Sequence, residues 1–487
     1  MNTDKSYFSI ASVALILFIG TVFILTPYYG VILDGDELHS IIFSSGNREN
    51  YNLGYESVMN RTTQAHDWKQ QIFYVNEFNP VQVWNDTLKY DVHPPLYNCI
   101  LHFVLYVFNG SVIGAYFLNA ILLVASLLLI SKKTNTNIAA GWILIAALPY
   151  ILNGFLDIRP YGLLFYLGLQ CYFLCKEDAK WSLKLLLFMT LGLLTNYLFI
   201  LFIIALFISK LSPSKGLIST LLKNKTYAII ITAACFAVFL LIGSGNQLNL
   251  MFDRIDFEGH YFKDKIVNAV FSFVGLTFPV WIYKLANIMI LYLAIFLLGV
   301  IVSFGFFSYF IRKRHLFSYE FRCFITYGIL YLTLYFSGII PHHSVGGKYF
   351  LLFTIPLIIP MLRIVENLNI SKVVLPVSLI FLLAGEAIFR GNERSSILRI
   401  TQKENKFYSN SNDVFTTLRL IQAMEDEKEI YIGTLNYEQI EEFDQLFILN
   451  KAGNQRDLTG VIPERRYKKE KLVLRKFQEV GAFYYKE

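Results

Sequence analysis

The sequence predicts an all-α polytopic membrane protein of about 11 transmembrane or re-entrant helices, with a small C-terminal α/β domain outside the membrane. Three observations lead there. The 487 residues are 55% hydrophobic and only 16% charged, where a soluble protein carries roughly 25% charged residues. The apolar residues fall into long runs instead of being dispersed. From about Arg390 the composition turns polar and holds only short strand-like runs.

Phe8 to Ile32 is an uncharged run of about 25 residues, enough to cross a hydrocarbon core of roughly 30 Å. No small-x-small cleavage site ends a short apolar core, so it reads as a retained helix and not a signal peptide. The polar loop 33–95 carries Trp68, Trp84 and several tyrosines, as helices at a membrane interface do. Leu96 to Phe108 is apolar but only about 20 Å long as a helix. Ser111 to Ile130 spans comfortably and ends at Lys132-Lys133. A complete crossing by Leu96–Phe108 would put those lysines on the side of the carboxylates discussed below. The positive-inside preference opposes that, so an incomplete or tilted crossing is expected there.

Two hairpins follow. Ile138 to Phe155 leaves the basic end and Tyr161 to Leu174 returns to Lys176, around the tip Asp157-Ile158-Arg159-Pro160. Leu183 to Leu194 leaves again and Leu198 to Ile208 returns to Lys210, around Thr195-Asn196-Tyr197. Arms this short suit irregular backbone that lines a protein cavity. The lysines alone orient these segments, and both tips then face the carboxylate side. Tyr227 to Ile242 crosses outward, and a polar loop and a moderately apolar stretch lead to Trp281. Leu285 to Ile311 returns to Arg312-Lys313-Arg314-His315, the clearest cytoplasmic marker. Phe321 to Ile340 leads out, Tyr349 to Ile364 returns, and Val373 to Phe389 goes out once more. The expected division is a transmembrane domain, 1–389, that includes the loop 33–95, and an outer domain, 390–487. Strands are expected in the latter at Glu429–Ile432 and Lys471–Leu474, with a helix near Ser411–Met424.

The net charge of +7 reflects cytoplasmic lysines and arginines. No basic stretch interleaves with aromatics, so nucleic acid is excluded as a partner. Cys99, Cys171, Cys175, Cys235 and Cys323 all lie in apolar segments. Their spacing fits neither zinc nor a disulfide framework, which leaves packed or lipid-facing thiols.

Ionisable residues at a membrane boundary are costly and usually functional. Asp34, Asp36 and Glu37 stand at the end of the first span, and Asp91-Val92-His93 stands just before the next apolar segment. Such carboxylates can serve as a general base for a hydroxyl nucleophile, or hold a divalent cation through oxygen ligands. No cofactor is otherwise implied. Pro94 and Pro95 hold His93 extended at the helix mouth, or simply start the helix. Arg159 either clamps a phosphate oxygen or pairs with Asp157 or a lipid headgroup. Lys348, after Gly346-Gly347, is a second phosphate candidate or a snorkelling lysine. His342-His343 has poor metal spacing and suits a loop that meets substrate. Asn196 and Tyr197 hydrogen-bond a substrate from the second tip, or cap it. These groups suit an anionic lipid-linked donor whose tail stays in the bilayer. A transporter would line a path across the membrane with charges, whereas here they gather near one boundary.

The motif order resembles the bacterial branch of the GT-C integral-membrane glycosyltransferases related to the protein O-mannosyltransferases. Members carry an Asp-Glu pair after the first helix, here Asp36-Glu37. An Asp-x-x-His-Pro-Pro-Leu-Tyr-like block follows, here Asp91 to Tyr97 and one residue tighter. A tip with Arg-Pro-Tyr comes next, here Arg159-Pro160-Tyr161. A Tyr-Thr-His-Tyr-like tip is Leu194-Thr195-Asn196-Tyr197, with Asn in place of His. An Arg-Tyr-Leu-like helix start is Lys348-Tyr349-Phe350. The likeness covers residues 8 to 210 well and the rest loosely. It implies a GT-C fold, a polyprenyl-phosphate-sugar donor and inversion at the anomeric carbon. Asp36 would be the base, with Asp34 assisting or structural, and His93, Arg159 and Lys348 would meet the donor phosphate. Asp91, Tyr97, Tyr161, Asn196, Tyr197, His342 and His343 would line the substrate. Size, span count and AT-rich residue usage are also similar to the prophage-encoded serotype-converting glucosyltransferases of O-antigen. That narrower likeness implies undecaprenyl-phosphate glucose as donor, lipid-linked O-antigen as acceptor, and an active site facing the periplasm from the bacterial inner membrane.

Overall fold

The computed structural model describes residues 35–47, 62–91, 93–134, 148–177, 183–210, 262–277, 289–337 and 350–367, and in the C-terminal part 406–409, 421, 427–432, 445–449, 467–474 and 478–486. The expected spans at Phe8–Ile32, Tyr227–Ile242 and Val373–Phe389 lie outside the described residues, as do Asp34, His342, His343 and Lys348. The described part is mostly helical. The chain divides into two units. One, here the helical unit, comprises Met1–Phe23, Trp84–Ile100 and Tyr116–Gly385; the other, the mixed unit, comprises Ile24–Val83, Leu101–Ala115 and Glu386–Glu487.

The elements in chain order are α1 (Gly35–Ser45), β1 (Thr62–Gln64), α2 (Ala65–Ile72), α3 (Pro80–Tyr90), α4 (Leu96–Val107), α5 (Val112–Thr134), α6 (Pro149–Leu156), α7 (Tyr161–Lys176), α8 (Leu183–Leu193), α9 (Phe199–Lys210), α10 (Phe262–Gly275), α11 (Met289–Arg312), α12 (Ser318–Phe336) and α13 (Leu351–Asn367). They are followed by β2 (Lys406–Ser409), β3 (Glu429–Ile432), β4 (Gln445–Leu449), β5 (Tyr467–Leu474) and β6 (Gln478–Lys486).

Among the described residues, α5 is the helix long and apolar enough to cross a membrane, with a mean hydropathy of 2.4. Its length as a helix is about 35 Å. Ile113, Phe117 and Ile121, four residues apart, form an exposed stripe along it, as a lipid-facing surface would. On α11, Ile301 and Phe304 stand 67% and 76% exposed, which water would not favour. The expected short crossing at Leu96–Phe108 is α4, of 12 residues and about 18 Å. It stops at a reversal where Asn109 and Gly110 adopt φ of 49° and 75°.

In the helical unit, most of α7 and the N-terminal two-thirds of α13 are apolar and buried. Leu351, Phe353, Ile355 and Leu357 of α13 are all fully buried. Pro356 and Pro360 interrupt its backbone ladder, a cost that surrounding protein can absorb. Gly168 of α7 is what admits the contact: a Cβ there would lie 2.6 Å from Ile355 Cδ1 and 3.1 Å from Leu352 Cδ2. Aromatic rings of α12 complete the packing, with Tyr327 and Phe353 centroids 4.5 Å apart. Charge enters where α7 ends. Lys176 Nζ donates to Glu320 Oε1 of α12 at 2.6 Å, and Tyr172 Oη donates to the same oxygen at 3.2 Å. Glu320 is buried and the Lys176 side chain is 35% exposed.

The mixed unit holds a six-stranded sheet of order β1-β3-β2-β4-β6-β5. β2 runs parallel to β3 and β4, and the other pairings are antiparallel. The strands expected at Glu429–Ile432 and Lys471–Leu474 are β3 and part of β5. β1, from the 33–95 loop, pairs Thr63 with Ile430 of β3, and the Ala65 amide extends the ladder to Lys428 O at 2.8 Å. The loop and the C-terminal stretch therefore fold into one sheet. A second knot joins α1, α3 and α4. The fully buried His102 donates from Nδ1 to Ser44 O at 2.8 Å and accepts the Asn79 amide at Nε2 at 2.9 Å. That pair of bonds requires the neutral ring.

Two stability outcomes follow. Lys176→Met leaves the Glu320 carboxylate buried without its cation. It should cost about 3 kcal/mol, more than Glu320→Gln does, in thermal unfolding of the detergent-purified protein. His102→Phe keeps the bulk but orphans a carbonyl and an amide. Each orphaned group costs about 1–3 kcal/mol, so the unfolding midpoint should drop clearly, while His102→Gln recovers part of it.

Candidate functional site

The segment 91–97 forms the mouth of α4. The Asp91 amide donates to Thr87 O at 3.0 Å, which closes the end of α3. Pro94 and Pro95, both buried, hold the chain off helical geometry until Leu96. Asp91 is 3% exposed, and its Oδ1 accepts from His93 Nδ1 at 2.9 Å. A carboxylate can only accept, so Nδ1 carries the proton. Nε2 is then the ring position that can take or give one. Beneath this mouth lies a buried polar layer of Asp86, Thr87 and Asn98, in which Asn98 Nδ2 donates to Thr87 Oγ1 at 3.2 Å. Tyr97 is buried beside it in sequence, at 1% exposure.

The second tip is tied to that mouth. The Leu96 amide is among the first-turn amides that a helix cannot satisfy internally, and it donates to Leu194 O at 3.1 Å. The turn exists because Gly192 O accepts the amides of both Thr195 and Asn196, at 3.1 and 2.9 Å. A Cβ on Gly192 would run into the Phe199 ring, so glycine is what lets α9 fold back onto α8. Asn196 Oδ1 accepts the Leu198 amide at 2.9 Å and caps α9. Of the two roles open for Asn196 in the sequence, its oxygen performs the cap. Tyr197 is mostly buried, at 9% exposure.

The first tip joins α6 to α7. Arg159 is 6% exposed and Asp157 8%. The Arg159 amide donates to Asp157 O at 2.8 Å. Asn119 Nδ2, from α5, donates to the same carbonyl at 2.7 Å. Pro160, with φ of −65°, starts α7, and Tyr161 follows at 1% exposure. Gly162 allows the close return, since a Cβ would lie 2.9 Å from the Phe155 ring.

The structure thus brings Asp91 to His93, and the α4 mouth to the Leu194–Asn196 tip. Asp91, His93, Tyr97, Arg159, Tyr161, Asn196 and Tyr197 all belong to the helical unit, whereas Asp36 and Glu37 belong to the mixed unit. Glu37 is buried on α1. Asp36 is in the first turn of α1, and its side chain lies outside the described residues. Among the described residues, no group of three or more His, Cys, Asp or Glu is placed to hold a metal ion. Cys171, Cys175 and Cys323 are buried free thiols. Sequence reasoning missed Asp86, Asn98 and Asn119. Local sequence set none of them apart: Asp86 follows the exposed Asn85, and Asn119 stands between the exposed Phe117 and Ile121.

No family model matches the chain and no curated protein matches it. Among solved structures it is similar to the crystal structure of ArnT from Cupriavidus metallidurans bound to undecaprenyl phosphate. The TM-score is 0.42 and the identity 11%, over 99% of this chain and 97% of that one. Likeness at that level carries neither a fold assignment nor a function across.

Asp91→Asn keeps the shape of the pair and removes the charge that orients the imidazole. It should leave the thermal midpoint near wild type. The sugar-transfer rate that the resemblance implies should fall roughly 10- to 100-fold, the scale on which orienting partners act.

Proposed function

We propose that the protein is a multi-pass glycosyltransferase of GT-C type in the bacterial inner membrane. It moves a sugar, glucose in the narrowest form of the reading, from a polyprenyl phosphate to a periplasmic glycan such as lipid-linked O-antigen. The observation that carries this reading is the Asp91–His93 pair, a buried carboxylate bonded at 2.9 Å to a partly buried imidazole at the mouth of an apolar helix. An imidazole fixed by a carboxylate suits proton or phosphate handling far better than it suits packing. The buried Arg159 adds a cation able to meet phosphate, and the exposed apolar stripe of α5 adds a surface suited to lipid.

The chemistry is a single displacement. The acceptor hydroxyl oxygen attacks C1 of the donor sugar, the bond from C1 to the phosphate oxygen breaks, and the configuration inverts. Asp36 takes the hydroxyl proton. The leaving lipid phosphate keeps the electron pair and is met by Arg159, His93 and Lys348. Asp34 and Glu37 flank the base. Asp91, Tyr97, Tyr161, Asn196, Tyr197, His342 and His343 contribute to the substrate surface, and the loop 33–95 with the C-terminal stretch receives the acceptor. The reading fixes no cofactor, and a divalent cation held by the carboxylates is tested by chelation. Lipid A or a protein is the alternative acceptor for the same chemistry.

Asp36→Asn should abolish transfer, with a loss of roughly 10²–10⁴-fold, while the protein still fractionates with membranes. Mass analysis of lipopolysaccharide and glycoprotein from cells with and without the gene reads both activity and acceptor. Wild-type activity of the variant would remove Asp36 from the mechanism. An unchanged glycan profile would remove the transferase itself.

A further inference from the structure

Asn119 is a buried polar residue that the reading above does not use. It lies seven residues into α5, within the run Phe117-Leu118-Asn119-Ala120-Ile121, and it is fully buried. A side-chain amide in such a position is expensive unless all its hydrogen bonds are made. Asn119 makes only part of them. Its Nδ2 donates to Asp157 O at 2.7 Å, and its Oδ1 has no hydrogen-bond partner among the described residues. A half-satisfied buried amide is a poor stabiliser compared with leucine. Stability alone is therefore a weak reason for asparagine here.

What the amide does achieve is positional. Asp157 O is the carbonyl around which the chain turns into Arg159, through the Arg159 amide at 2.8 Å. Asn119 binds that carbonyl from outside the turn and fixes the direction of the peptide. The turn spans only Asp157, Ile158 and Arg159 before Pro160 starts α7. A peptide flip at 157 would re-aim the residues that follow. Asn119, Asp157 and Arg159 all lie in the helical unit.

We infer that Asn119 is a positioning residue: through the Asp157 carbonyl it holds the Arg159 guanidinium in place for the phosphate of a polyprenyl phosphate. This inference rests on the reading of Arg159 as a phosphate clamp, and its test separates the two. The full-length protein in detergent is titrated with undecaprenyl phosphate and, in parallel, with undecaprenol, which has the same tail and no phosphate. Binding is read by native mass spectrometry.

Asn119→Leu should weaken undecaprenyl phosphate about tenfold or more, within the roughly 100-fold that a 1 Å misplacement can cost. Undecaprenol binding should be unchanged, and the thermal midpoint equal to wild type or higher. Asn119→Leu combined with Arg159→Gln should bind no more weakly than Arg159→Gln alone. Asn119→Ser is the second variant. Its hydroxyl would bond back along the helix, as Ser126 does to Leu122 O and Thr134 to Ile130 O, and it should give the same split between the two lipids.

Wild-type affinity of both Asn119 variants for undecaprenyl phosphate would overturn the inference and leave the clamp standing. Equal weakening of both lipids, or a loss that adds in full to that of Arg159→Gln, would overturn it in favour of a general packing role. Unchanged affinity of Arg159→Gln alone would overturn the clamp, and the positioning role with it.

Discussion

The burial of α7 over most of its circumference organises the helical unit. Twelve of its sixteen residues are buried, a partly exposed stripe of Tyr166, Gln170 and Leu174 carries the bond from Gln170 Nε2 to Tyr166 Oη at 2.9 Å, and Gly168 draws α13 to within van der Waals contact. Charged groups stand only at the two ends of this helix. At one end stands the Lys176–Glu320 pair. At the other stands the Asp157–Pro160 tip with Arg159. The arrangement at Arg159 is thus inherited from packing: once the middle is closed, the tip is the available place for a guanidinium.

The same economy governs the mouth of α4. Its first-turn amides need acceptors, and the prolines before it remove donors instead of adding them. Leu194 O supplies one acceptor, and that bond couples the mouth to the α8–α9 turn. Among the described residues, the α4 mouth, the α8–α9 turn and the α6–α7 tip are fastened by bonds that leave them, Leu96 to Leu194 and Asn119 to Asp157, while Asn98 to Thr87 ties α4 to α3. Side chains on such loops are positioned more firmly than loop residues on an open surface.

Much of the helical unit was legible because long apolar runs have few alternatives. Tyr161 to Leu174 reads as a helix from composition alone, and the helix is Tyr161–Lys176. Glu429–Ile432 alternates as a strand should. The tips were legible from Asp157-Ile158-Arg159-Pro160 and Thr195-Asn196-Tyr197, where polar or turn-forming residues break the runs. Three features were not. Thr62-Thr63-Gln64 is too short to carry a period, and its partner lies more than three hundred residues on. His102 sits in an apolar run and looks like any packed aromatic until Ser44 O and the Asn79 amide are seen on its two nitrogens. Asn119 has no neighbour in sequence that hints at Asp157. In each case the deciding partner is distant in sequence, and local pattern contains nothing about it.

The pairing of β1 with β3 bears on how the molecule is made. A strand from the first polar loop emerges from the ribosome long before its mate, and contacts so far apart in the chain form slowly. Throughout synthesis the early strand has an unsatisfied edge, of the kind that recruits wrong partners. Assembly of the sheet is therefore a final event, and a prematurely terminated product would lack the strand that completes the early loop. Completion of the early loop is in this way tied to synthesis through β3, more than three hundred residues on.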